Sequence, residues 1–231
     1  MLEWLYPTRC PVCDKPVLPK GIILHPFCEN RLPLISEPLC KKCGKQLSSE
    51  DEEYCPVCRM KNRVWDGGRS VYRYHGVAGS MIRKVKRDGT EPTLRFLAKQ
   101  MKRHCRLFLS ETGAECIVPV PLHRKKQQKR GFNQAELLAE ALGKELGLPV
   151  KNLLQKTKQT KDQKYMSLEQ RSRNVADVYR IRKEAKGVAM PRSVLLMDDI
   201  VTTGSTLTAC ARVLKEAGVK EVYFITVCAG E

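Results

Sequence analysis

The chain has 231 residues, and its 42 lysines and arginines against 25 acids give a formal charge of 42 − 25 = +17, which favours phosphorylated or polyanionic partners. No window approaches the ~18 consecutive apolar residues that span a bilayer, and Met1 to Tyr6 lacks the basic start and apolar stretch of a secretory signal, so a cytoplasmic location without membrane insertion is expected. Seven of the eleven cysteines fall between Cys10 and Cys58, which excludes one uniform core and divides the chain into residues 1–62 and 63–231.

The front region is an internal repeat. Cys10-x2-Cys13 is followed after eleven residues by His25-x2-Cys28, and Cys40-x2-Cys43 after eleven residues by Cys55-x2-Cys58. Pro26 maps onto Pro56 and Lys15 onto Lys45, so His25 stands where the second copy has Cys55. In a reducing compartment such spacing points to metal, and an odd cysteine total argues against a closed disulfide framework. Paired donors two residues apart form a knuckle, and two knuckles complete a tetrahedron, so two structural Zn2+ sites are expected. Such sites supply folding free energy that a region poor in large apolar side chains lacks. Redox chemistry is the weaker reading, because Pro11, Gly44 and Pro56 suit turns better than a strand opening into a helix. An incidental His25 and ligands interleaved between the copies both remain open.

Downstream the pattern alternates strand and helix. Ser70–Tyr74 reads as a strand, Val77–Arg87 and Glu91–Leu109 as amphipathic helices, and Cys116–Val120 as a buried strand. Pro121 to Gln134 follows, with five cations in eight residues, as a basic loop leaving that strand. Ala135, Leu138, Ala139, Leu142 and Leu146 form the next helical stripe. Gln155–Lys183 is polar, basic and aperiodic, and reads as a flap over a site. Val194–Met197 is a strand, Leu207, Cys210, Ala211 and Leu214 line a helix, and Val222–Val227 closes a mostly parallel sheet flanked by helices. Cys105, Cys116, Cys210 and Cys228 fall on these stripes and strands as small hydrophobes, and His75, His104 and His123 receive no role.

The most informative run is Val194 to Thr206. Asp198 and Asp199 directly after a buried strand are expected to point out at its carboxyl end, where open parallel sheets bind ligands. Val201, Thr202, Thr203, Gly204, Ser205 and Thr206 then form a turn whose hydroxyls and unpaired N–H groups, with a helix start behind them, cradle a phosphate dianion. One end of the motif favours hydroxyls or a hydrated cation and the other favours phosphate; a phosphorylated ribose has both. An acidic turn followed by a Thr/Ser helix cap explains any four of these residues but not the run of thirteen.

This run resembles the phosphoribosyl-diphosphate signature of type I phosphoribosyltransferases. The resemblance implies that fold, with a flap and the zinc module in front. It also implies Asp198 and Asp199 on the ribose hydroxyls, Thr202 to Thr206 on the 5′-phosphate, and Mg2+ on the departing diphosphate. Lys126 and Arg130 are then the candidates for diphosphate contact. Pro119-Val120-Pro121-Leu122 and Arg130-Gly131-Phe132-Asn133-Gln134, with the double Cys-x2-Cys module, are similar to the ComF family of late-competence proteins. In that family's pattern Lys86, and Gln163, Arg171 and Asn174 of the flap, also match. His25 and Lys126 depart from it, standing where a cysteine and an arginine are usual. The resemblance implies a role in natural transformation, with single-stranded DNA and competence machinery as partners. An enzyme of unidentified acceptor and a non-catalytic DNA-binding factor using the pocket as a sensor are the two functional expectations. A purely structural adaptor leaves the Asp198–Thr206 motif without a purpose.

Overall fold

The computed structural model describes residues 8–18, 22–157 and 178–230. After two short helices, α1 (Pro26–Glu29) and α2 (Pro56–Met60), come β1 (Gly67–Arg73), α3 (Gly76–Asp88), α4 (Glu91–His104), α5 (Arg106–Glu111), β2 (Cys116–Pro119), α6 (Arg124–Arg130), α7 (Gln134–Leu146), β3 (Leu154–Lys156), β4 (Tyr179–Ile181), β5 (Ser193–Val201), α8 (Ser205–Glu216) and β6 (Glu221–Ala229). Four strands form a parallel sheet in the order β1-β6-β5-β2, and β3 pairs antiparallel with β4 apart from it.

Both faces of the sheet are covered, which is why β5 and β6 read as apolar runs rather than alternating patterns. Leu195, Met197, Ile225 and Val227 pack on one face with buried residues of α3, α4 and α7. Val194, Leu196, Val222 and Phe224 pack on the other with α8 and the β3–β4 pair. The expected phosphoribosyltransferase-type architecture is therefore present, and Cys105, Cys116, Cys210 and Cys228 are all buried in it.

Three elements differ from expectation. The helix expected over Glu91–Leu109 breaks at Cys105, whose backbone leaves the helical region (φ −110°, ψ 19°); beyond the break Phe108 packs edge-on against Tyr223, with ring centroids 5.9 Å apart. The basic loop holds a helix, α6, capped by His123, whose Nδ1 accepts from Lys125 N at 3.2 Å, and ended by Gly131 at φ 86°. The strand expected to stop at Met197 continues to Val201, because β6 pairs with it as far as Ala229. Asp198 and Asp199 thus lie inside β5 and project to opposite faces, rather than together beyond its end.

The zinc module is joined to the sheet through the segment between its two halves. Arg73 N donates to Pro33 O (2.8 Å) and Ile35 N to Val71 O (2.9 Å), with Leu34 paired antiparallel to Tyr72. This segment covers the edge strand β1, which would otherwise offer unpaired backbone groups.

Candidate functional site

Each half of the front module folds in the same way. Cys10 N donates to Lys15 O and Asp14 N to Cys10 O, both at 2.9 Å; Cys40 N donates to Lys45 O at 2.8 Å and Gly44 N to Cys40 O at 2.9 Å. The residue after the second knuckle cysteine is left-handed in both, Asp14 at φ 62° and Gly44 at φ 67°. The second pair of ligands opens α1 or α2, each with proline in its first turn. These turns gather Cys10, Cys13, His25 and Cys28 into one cluster and Cys40, Cys43, Cys55 and Cys58 into another, with donor atoms all within 4.8 Å of one another. The clusters are consecutive, not interleaved.

The donor chemistry fits Zn2+: soft thiolates and one imidazole, four per site, with no position left for a substrate. His25 carries its own evidence. Its Nε2 lies 3.0 Å from Pro16 O. A carbonyl only accepts, so Nε2 holds the proton and Nδ1, 3.4 Å from Cys13 Sγ, presents its lone pair to the cluster. A backbone carbonyl that accepts the hydrogen bond of the far ring nitrogen, and so fixes the imidazole tautomer, is the usual arrangement at a metal-ligating histidine.

The second site lies where β5 meets α8. Asp199 is 5% exposed, and Lys86 of α3 places its Nζ 2.6 Å from Asp199 Oδ2 as an ion pair. Oδ2 has no hydrogen-bond partner among the described residues, so the ion pair is what holds it. Asp198, on the opposite face, is partly exposed; its Oδ1 accepts from Asp199 N at 2.8 Å. Close enclosure by protein, and then the adjacent Asp199 charge, push the Asp198 carboxyl well above the usual carboxylate range. Lys156 of β3 and Tyr179 of β4 stand near Asp198: burial, and then repulsion from Lys126, lowers the Lys156 ammonium against a smaller opposing pull from Cys210 and Asp198, whereas burial, with the Cys210 and Asp198 charges adding to it, raises the Tyr179 phenol.

The turn beyond β5 is open on its polar side. Thr202 is exposed, and Thr203, Ser205 and Thr206 are partly so, while the Val201 side chain is buried and its carbonyl accepts from Gly230 N at 2.7 Å. Thr203 Oγ1 and Ser205 Oγ are 2.9 Å apart. Gly204 at φ 70° starts α8 without a side-chain cap, leaving first-turn N–H groups for a ligand. A Cβ at Gly204 would meet Trp65 Cη2 at 2.5 Å. Trp65, buried and edge-on to Phe224 at 5.3 Å, is the floor of the turn.

Of the residues singled out from sequence, the fold brings Lys86 to Asp199 and sets the Thr202–Thr206 turn directly beyond them. Lys126 and Arg130 are one turn apart on α6; Lys126 bears electrostatically on Lys156, and Arg130 donates to Gln134 Oε1. Gln163, Arg171 and Asn174 lie outside the described residues. Trp65, Lys156 and Tyr179 were not singled out. The signals for them were slight: one of only two tryptophans, and a Leu154-x-Lys156 alternation at the start of a segment read as aperiodic.

Comparison with known proteins agrees with both halves. Residues 1–59 match the double zinc ribbon domain and residues 128–231 the phosphoribosyl transferase domain. Competence protein F of Haemophilus influenzae is 32% identical over 195 residues, covering 81% of this chain and 82% of its own length. Competence protein ComFC of Streptococcus pneumoniae is 29% identical over 202 residues (84% and 82%), and DNA utilization protein YhgH of Escherichia coli K12 is 26% identical over 226 residues (96% and 97%). A zinc ribbon pair joined to a phosphoribosyltransferase domain, aligned with these relatives over most of its length, places the chain in the ComF family.

Proposed function

We propose that this protein binds phosphoribosyl diphosphate with Mg2+ at the carboxyl end of β5, where α8 begins, and transfers the phosphoribosyl group to an acceptor, in the cytoplasmic handling of DNA taken up during natural transformation. The observation that carries this reading is the joint placement of the Lys86–Asp199 pair, Asp198 and the open hydroxyl turn of residues 202–206 at the carboxyl end of β5. The turn and the start of α8 hold the 5′-phosphate, and the aspartates hold the ribose hydroxyls. Mg2+, held mainly by the ligand and water, supplies neutralisation of the diphosphate. In the transfer, the bond from C1 to the diphosphate oxygen breaks and its electron pair leaves with diphosphate. The ring oxygen shares the positive charge, and a nucleophile on the opposite face forms the new bond to C1 and sheds its proton. The protein's part is charge placement, to which Lys126 and Arg130 contribute beside the leaving group.

Calorimetry with phosphoribosyl diphosphate and Mg2+ tests the reading. Asp199→Ala is expected to weaken binding at least tenfold, about 1.4 kcal/mol or more. Equal binding by the two proteins, or none by the native one, sinks it.

A second reading is favoured by the charge of +17 and by the names of the relatives, which speak of competence and DNA utilization: a single-stranded-DNA-binding factor that uses the pocket as a sensor, with competence machinery as partners. Here phosphoribosyl diphosphate binds without release of diphosphate, and affinity for single strands falls steeply with salt. Diphosphate release in the presence of an acceptor decides for transfer.

A further inference from the structure

A cavity of about 1040 Å3 opens beyond β2, between α6 and the β3–β4 pair, and its lining includes neither Asp198, Asp199 nor the turn of residues 202–206. Helix α6 is the partition. Arg124, Gln127, Gln128 and Gly131, at helical spacings of three and four, face the cavity. Lys126, Lys129 and Arg130 form the adjacent stripe and do not line it. The cations that the sequence concentrates in Arg124–Arg130 are thus divided between two sides of one helix.

The cavity's chemistry is specific. Arg124 and Lys125 stand on one wall and Arg182 on the other, with Lys156 at the side of the aspartate pair, and none of Arg124, Lys125 and Arg182 has an acidic partner among the described residues. The one acid among the described lining residues, Glu136, already accepts from Asn152 Nδ2 at 2.6 Å. Unneutralised cations on facing walls call for an anion. Pro121, Leu122 and Leu154 give an apolar strip, and the amides of Gln127 and Gln128 supply donors and acceptors next to it. The volume lies just above the roughly 300–1,000 Å3 of small-molecule sites, too large for a lone phosphate. A phosphate, an apolar body that packs on the Pro121–Leu122–Leu154 strip and edges that amides can read together describe a nucleotide.

We infer that this cavity is a second ligand site, for a nucleoside monophosphate unit, either free or at the end of a nucleic acid strand. It is distinct from the phosphoribosyl diphosphate site and shares only α6 and Lys156 with its surroundings. The inference goes beyond the proposed function and stands whether or not transfer occurs.

The test is calorimetry on the zinc-loaded full chain with adenosine 5′-monophosphate, with adenosine, and with a short single strand bearing a 5′-phosphate. The monophosphate is expected to bind both with and without saturating phosphoribosyl diphosphate, and adenosine at least about tenfold more weakly. Arg124→Glu and Arg182→Glu should each weaken the monophosphate by about tenfold or more while leaving phosphoribosyl diphosphate affinity unchanged. Lys129→Glu, the same charge change on the other stripe of α6, should move it less than about twofold. Tighter binding of the strand than of the monophosphate assigns the site to a strand end, and the reverse to a free nucleotide. The inference is overturned if neither ligand binds, if Lys129→Glu matters as much as Arg182→Glu, or if phosphoribosyl diphosphate displaces the monophosphate. Loss of phosphoribosyl diphosphate binding in the native protein, with the nucleotide pattern intact, would instead overturn only the proposed function. Zinc content and far-ultraviolet spectra check that each variant is folded; Arg182→Gln, expected to weaken the monophosphate by a smaller factor, serves if a reversal fails that check.

Discussion

The ammonium of Lys86 lies 2.6 Å from Asp199 Oδ2, tying helix α3 to the strand that carries the acid pair. The Asp199 side chain is 7% exposed and that of Lys86 32%. Removing the lysine leaves a buried carboxylate without countercharge. Breaking a fully buried pair costs about 3–5 kcal/mol; water reaching the vacated Lys86 position reduces this, so Lys86→Ala is expected to cost about 1–3 kcal/mol in denaturant titration. Adding Asp199→Asn to Lys86→Ala should recover part of the loss, because an amide needs no cation. A double variant less stable than Lys86→Ala would show that the pair does not carry the energy.

Asp198 gives the opposite response to pH from an ion-paired acid. Its carboxyl is pushed well above the usual carboxylate range by close enclosure in the protein and then by Asp199, so the folded state binds a proton more readily than the unfolded state. Its unfavourable contribution is absent below the unfolded pKa and grows as pH rises through the folded pKa. Asp198→Asn is therefore expected to raise the thermal midpoint at neutral pH and to lose that advantage as pH falls below about 4. The same substitution should weaken phosphoribosyl diphosphate binding. A midpoint raised equally at both pH values would contradict the assignment.

How much of this site could be read from the chain depends on the range of the interactions that build it. The zinc ligands and the turn of residues 202–206 are local patterns, each set by spacing along a few residues, and the structure places them as spaced. The opposite projection of Asp198 and Asp199 was not legible, because the end of β5 is decided by how far β6 pairs, and those partners are distant in sequence. Helix α6 was hidden by its charge density, although Gly131 just past Arg130 is the stop that such a helix requires. Trp65 under Gly204 spans well over a hundred residues and leaves no periodic trace.

That contact predicts a steric cycle. At Gly204 a methyl group meets both a left-handed backbone and the Trp65 ring. Gly204→Ala is expected to cost about 1–2 kcal/mol from the backbone alone and more from overpacking, and to weaken phosphoribosyl diphosphate binding. Trp65→Phe opens room at the ring's far edge, so the double variant should be more stable than the sum of the two single losses, by urea titration. Strict additivity would show that Trp65 does not support the turn.

Zinc occupancy can separate the two clusters. His25→Cys turns the first site into the four-thiolate set of the second and should keep two metals per chain, matching the two clusters. His25→Ala leaves three thiolates, and one equivalent should then pass to a chelator at least about tenfold more readily, while the second site holds. Colorimetric zinc release during chelator competition follows both. Unchanged release from His25→Ala would mean that His25 is not a ligand.

The first knuckle docks on the phosphoribosyltransferase domain by charge and the second by close backbone approach. Asp14 pairs with Lys84 of α3, whereas a Cβ at Gly44 would meet Gly68 O at 2.5 Å. Lys84 Nζ, almost enclosed, also donates to Cys10 O at 3.4 Å. Hydrogen bonding to Lys84, then its charge, holds the Asp14 carboxyl below the usual carboxylate range. This stabilising contribution is present above the unfolded pKa and is lost as pH falls through the folded one, opposite in sign to Asp198. Asp14→Gly relieves a left-handed backbone (φ 62°) but leaves the Lys84 ammonium enclosed without its acid, and the thermal midpoint should fall by roughly 2–4 °C. In a Lys84→Met background, where the stem still packs and no charge needs pairing, Asp14→Gly should leave the midpoint unchanged or raise it. An equal fall in both backgrounds would place the effect in the knuckle's own turn rather than in its docking to α3.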